Sequence, residues 1–112
     1  MWTYKAIVKK IVDADTVDLS VDLGFKTYRV ERFRLSRIDA WEVRGKEKFK
    51  GKKAKVFVEE QIPVGSEVTV QSSKQGKYGR YLGEIIYEHD GSEVNLGDRL
   101  LEEGHAVLYG SK

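Results

Sequence analysis

VDLSVDLGFKTYRVERFRLS, residues 17–36, is the stretch whose pattern decides the fold. Val17, Leu19, Val21 and Leu23 alternate with polar residues without a break, the period of a strand with one buried face. Gly24 then turns the chain into a further strand over residues 26–36. There Tyr28 and Val30 share one parity while Phe33 and Leu35 share the other, so the pattern predicts a bulge near Glu31 and Arg32. Such a bulge bends a strand as the closing of a small barrel requires.

Working outward, residues 4–12 are rich in β-branched types and read as a strand preceding this pair. Downstream, Ala54, Phe57, Val58 and Gln61 or Ile62 follow helical spacing with lysines opposite, which predicts a helix over residues 47–61. Gly51 weakens the first half of that helix, and Pro63 with Gly65 ends it. Residues 67–72 and 81–87 read as two more strands, with a turn at His89, Asp90 and Gly91. Residues 94–103 read as a short helix stopped by Gly104, and HAVLY as a short extended segment. The order β-β-β-α-β-β-α, without repeats or linkers, predicts a mainly β protein with helices. Its expected architecture is a five-stranded Greek-key barrel of the oligonucleotide-binding (OB) type, with one helix between strands three and four and a short C-terminal helix.

At 112 residues the chain is expected to form a single domain spanning residues 1–112. A hydrophobic share of 40% beside 34% charged residues excludes a disordered chain. No run is apolar enough to span a membrane and the N-terminus alternates like a strand, so no membrane partner is expected and the location read from the sequence is cytoplasmic. Cysteine is absent, which excludes disulfides, thiolate metal sites and a cysteine nucleophile. With only His89 and His105 available, in unlike contexts, a bound metal must be oxygen-liganded, a hard cation such as calcium or magnesium. The net charge of +2 is small, but RGKEKFKGKKAK at residues 44–55 sets seven Lys or Arg against the single acid Glu47. Such a block attracts polyanions, and it is also what a solvated helix face looks like.

Four groups can carry chemistry. Asp13 and Asp15 flank a turn, where Asx residues are common for structural reasons alone. FRLSRIDAWE at residues 33–42 sets Arg34 and Arg37 ahead of Asp39 and Glu42, either a salt-bridged sheet edge or a site where carboxylates, a cation and arginine meet a phosphate. Gly79 and Arg80 open a strand, and residues 94–109 read as core packing.

In their order along the chain these pieces resemble the staphylococcal nuclease (thermonuclease) family. The matching residues are D-A-D-T at 13–16, R-L-S-R-I-D-A-W-E at 34–42, K-Y-G-R at 77–80 and V-N-L-G-D-R-L-L-E-E-G-H-A at 94–106. The resemblance implies an OB barrel that hydrolyses phosphodiester bonds of DNA or RNA with Ca2+, leaving 3′-phosphates; a monomer is expected. It implies calcium ligation by Asp15, Asp39 and the backbone carbonyl of Ala40, with Glu42 activating water and Arg34 and Arg80 holding the phosphate. Lys77, Tyr78 and Tyr109 match positions near the nucleotide.

The chemistry suits these types: a dication and two planar guanidinium forks spread the charge built on equatorial oxygens, and a carboxylate takes the proton of water. The sequence departs from the family pattern at Ala14, where glycine is usual, and at Trp41, where proline pre-sets the turn. Trp41 either stacks on a substrate base or fills a gap at the helix start. Arg37 matches no family role and reads as surface. A non-catalytic OB module that binds nucleic acid is the alternative, although three carboxylates repel a polyanion unless a cation joins them.

Overall fold

The structure, a computed structural model, describes residues 2–75 and 80–112, and of residues 73–75 the backbone only. Strands β1 (Trp2–Asp13), β2 (Thr16–Asp22) and β3 (Tyr28–Leu35) form an antiparallel meander, followed by the three-residue β4 (Ile38–Ala40). A 3-10 turn at Gly45–Glu47 leads into α1 (Lys48–Gln61), then β5 (Glu67–Gln75) and β6 (Tyr81–His89). The chain ends in β7 (Ser92–Asn95), α2 (Leu96–Glu102) and β8 (Ala106–Leu108).

Strand β5 pairs with β1 and with β6, and β6 runs parallel beside β3 with Phe33 opposite Tyr81. That pairing closes β1, β2, β3, β6 and β5 into a five-stranded barrel, the OB topology expected. The barrel is filled by the alternating apolar positions: Val8, Val17, Leu19, Leu35, Val70 and Ile85 are fully buried. Helix α1 packs Ala54 and Val58 against it. Among the described residues no helix is long and apolar enough to cross a membrane.

The expected bulge in β3 is absent. Register with β2 runs unbroken from Asp22 opposite Tyr28 to Thr16 opposite Arg34, and Tyr28 and Val30 are exposed at 59% and 60%. Their parity therefore marks the outer face rather than a slip. The register shifts fall in β1, between Val8 and Lys10 and between Ile11 and Asp13, and in β5 between Ser72 and Lys74. Strand β1 pairs on both sides, so the extra residues give it the bend that closure needs.

Two short strands were not expected. β4 pairs with β8, with Ile38 opposite Leu108 and Ala40 opposite Ala106. β7 takes the first residues of the stretch read as a helix, and joins β6 through a tight turn in which Asp90 and Gly91 both have positive φ, 51° and 81°. Helix α2 starts after Asn95, whose side chain accepts the Asp98 amide.

Candidate active site

Asp15, Arg34 and Asp39 meet at one end of the barrel, and each arrives there for a local reason. Asp15 sits in the two-residue turn between β1 and β2 and is 9% exposed. Its Oδ2 accepts the Ala40 amide at 3.0 Å, its Oδ1 accepts the Thr16 hydroxyl at 3.1 Å, and its own carbonyl accepts the Leu35 amide at 2.8 Å. Asp39 lies between the buried Ile38 and Ala40 on β4, so strand alternation sends its carboxylate outward. There Oδ2 accepts the Gly110 amide at 3.2 Å.

Arg34, on the outer face of β3, lies between the two acids. Its Nη1 donates to the carbonyls of Leu35 and Ile38 at 2.8 and 2.9 Å. Its Nη2 bonds Asp39 Oδ1 and pairs with Asp15 Oδ2 at 3.3 Å. The guanidinium also lies 5.7 Å from the centroid of the Tyr109 ring. Two carboxylates thus reach the same nitrogen, and the arginine that joins them is only 16% exposed.

Arg80 stands just before β6, half-buried. Because Arg34 is opposite Leu82, continuing the alternation back from Leu82 assigns Arg80 to the face that carries Arg34. Glu42 is not part of the cluster. Its side chain is exposed on the loop that leads to α1 and makes no hydrogen bond or ion pair among the described residues. Lys77 and Tyr78 lie outside the described residues.

The loop carrying Glu42 is nonetheless tightly held. The Trp41 amide donates to the His105 carbonyl at 3.2 Å, and its indole Nε1 to the Gly104 carbonyl at 3.0 Å. The Glu42 amide donates to Glu47 Oε1 at 3.0 Å, and Lys112 Nζ donates to the same oxygen at 2.8 Å. The Lys112 ammonium and the Glu42 amide together hold the Glu47 carboxyl below the usual range. Gly51 completes the clamp: a Cβ there would stand 1.8 Å from the Glu42 carbonyl oxygen, so α1 packs its bare backbone on that loop. The sequence shows Gly51 only as a weak helix residue. Its reason is this approach.

The departures from the family pattern are absorbed. Ala14 is fully buried and is not among the described residues with positive φ, so no glycine is required there. Trp41 replaces the fixed φ of proline with two hydrogen bonds, and Lys50 and Lys112 stand 4.6 and 5.5 Å from its ring centroid.

By donor chemistry the site fits a hard cation. Asp15 and Asp39 converge on positive charge, and the Ala40 carbonyl accepts the Lys112 ammonium at 2.6 Å. On the same turn Asp13 Oδ1 is buried without a hydrogen-bond partner among the described residues. Three or more His, Cys, Asp or Glu side chains do not gather anywhere among those residues, so a cation here would draw further oxygens from the backbone and from solvent or substrate.

The sequence matches the family described as Staphylococcal nuclease homologue over residues 32–112. It is 36% identical over 115 residues to endonuclease YhcR of Bacillus subtilis (strain 168), covering 95% of this chain and 9% of that protein. It is 28% identical over 123 residues to an uncharacterized protein of Methanocaldococcus jannaschii, covering 95% of this chain and 59% of that one. The chain thus spans a small part of the first relative and little more than half of the second. With a match over most of its length and a closed OB barrel beneath it, the chain belongs to the staphylococcal nuclease family.

Proposed function

We propose that this protein is a nuclease that hydrolyses phosphodiester bonds of DNA or RNA with a bound calcium ion. The observation that carries the reading is the meeting of Asp15, Arg34 and Asp39 at one point of the barrel wall. Family membership and the endonuclease relative support it. Asp15, Asp39 and the Ala40 carbonyl would hold the cation, which when bound supplies Lewis-acid charge to the phosphate oxygens.

Arg34 and Arg80 grip the phosphate, stabilising the negative charge that builds on its equatorial oxygens. Glu42 accepts the proton of the attacking water as its oxygen bonds phosphorus. The bond from phosphorus to the leaving oxygen breaks, and that oxygen takes a proton from solvent. Its exposure on a clamped loop leaves the Glu42 carboxylate free to reach a water beside a bound phosphate. Tyr109, beside Arg34, and Lys77 and Tyr78 would line the nucleotide.

The test is cleavage of plasmid and of single-stranded DNA in calcium and in chelator, with the wild type and Glu42→Gln. Calcium-dependent cutting, abolished by chelator and slowed about 10²–10⁴-fold by Glu42→Gln, is expected. Cutting that survives both chelator and Glu42→Gln overturns the mechanism. Binding without cutting in any divalent ion favours the second reading, a non-catalytic nucleic-acid module. That reading draws on the neutralisation of Asp15 and Asp39 by Arg34 in the protein itself.

A further inference from the structure

We propose that the outer face of α1 binds single-stranded nucleic acid, with phosphates on its lysines and a base on Phe49. The proposal deepens the nuclease reading, on which it rests for the class of its ligand.

Phe49 and Lys53, at i and i+4, share one stripe of α1, Lys50 lies beside Phe49, and Lys46 stands on the 3-10 turn that leads into the helix; all four are exposed. From Phe49 to Lys53 the stripe runs about 6 Å at ~1.5 Å per residue. Phe49 is 77% exposed, an aromatic ring that contributes nothing to the core. Lys53 Nζ stands 5.3 Å from its centroid, as Lys50 Nζ stands 4.6 Å from that of Trp41. A solvated helix needs lysines for solubility but gains nothing from an exposed phenylalanine set among them. Cations alternating with an aromatic face are instead what a flexible polyanion with free bases recognises.

The stripe also continues the site. Asp39 and Ala40 lead directly into Trp41, and Trp41 carries Lys50, so a strand whose phosphate lies at Arg34 meets α1 next. Glu47, at the stripe's start, is engaged by Lys112 and the Glu42 amide. A duplex keeps its bases stacked on one another, so Phe49 offers it nothing. The ligand class is therefore single-stranded.

Anisotropy with a labelled oligothymidylate and with a duplex of equal length, in chelator, tests the proposal without any cleavage. Phe49→Ala is expected to weaken the single strand about tenfold and the duplex little, because stacking is worth roughly 1–3 kcal/mol per base. Replacing Lys46, Lys50 and Lys53 together by Gln is expected to flatten the salt dependence by about 2 in log–log slope, at roughly 0.7 per phosphate. Wild-type affinity in Phe49→Ala overturns the proposal. So does an equal loss on duplex, or a loss caused instead by Tyr28→Ala on the outer face of β3. Thermal melts verify that these exposed changes leave the fold intact. Cleavage with unchanged binding in Phe49→Ala sinks this surface alone, whereas Phe49-dependent binding with no cleavage sinks the nuclease reading alone.

Discussion

Arg34 and Arg37 are three residues apart, and each bridges two carboxylates brought from distant parts of the chain. Arg34 is 16% exposed and joins Asp15, on the first turn, to Asp39 on β4. Arg37 is 46% exposed and adopts φ 70°, where a non-glycine residue is strained. Its Nη2 donates to Glu84 Oε1 at 2.7 Å and to Asp98 Oδ1 at 2.9 Å, tying the β3–β4 turn to β6 and α2. These partners hold the Arg37 guanidinium above its ordinary range, Glu84 most strongly. Glu84 also accepts the Asn95 amide at 2.9 Å, and Asn95 in turn caps α2. The Arg37 cluster therefore closes on itself, each member already serving the fold. The acids around Arg34 gather backbone amides and a hydroxyl, and the carbonyl of Ala40 beside them draws an ammonium. One motif is a staple in one place and, on the reading proposed above, a reaction centre in the other.

The largest expected effects divide these two places. Arg34→Lys keeps a charge but loses the planar fork, and is expected to lower kcat about 10²–10³-fold while the melting temperature moves little. Arg37→Ala is expected to do the reverse. It removes contacts of a half-exposed network and should cost about 1–2 kcal/mol in urea unfolding, with kcat unchanged. Equal losses of activity in the two variants would break the distinction.

How much of this was legible depends on the range of the contacts. The meander β1–β3 was readable because its alternation is local. The bulge lies elsewhere because the parity of Tyr28 and Val30 does not tell an apolar outer face from a slip in register. A better signal was the spacing of three between the buried Val8 and Ile11, which breaks a period of two. β4 holds three residues and β7 four, too few for periodicity, although the Asp90–Gly91 turn signals the hairpin. The partners of Arg37, Glu84 and Asp98, lie 47 and 61 residues away, so nothing beside it in the sequence shows them. The meeting of Asp15, Arg34 and Asp39 was readable only through the order of whole motifs.

The reason for Gly51 is hidden in the same way, since what it touches is a loop nine positions earlier. An intermediate effect follows from it. By helix propensity alone Gly51→Ala should stabilise α1 by about 1 kcal/mol. The clash at 1.8 Å with the Glu42 carbonyl reverses the sign. A net loss of about 1–3 kcal/mol is expected. Because the displaced backbone carries Glu42, kcat should fall about tenfold or more while oligonucleotide affinity in chelator holds. A variant more stable than the wild type would show that this approach is not tight.

The smallest effect concerns the acid that holds the same loop. Glu47 Oε1 accepts the Lys112 ammonium and the Glu42 amide, and both lower its pKa. A carboxyl whose folded pKa is depressed contributes stability above its unfolded pKa, about 4.3, and loses that contribution as pH falls through the folded value. The stability gap between the wild type and Glu47→Gln should therefore stay constant from pH 7 to about 5 and close below about 4. Urea midpoints across that range measure it. A gap that stays open below about pH 4 would show that the charge of Glu47 does not hold the Glu42 loop, and that of the two regions only the Arg37 staple rests on ion pairs.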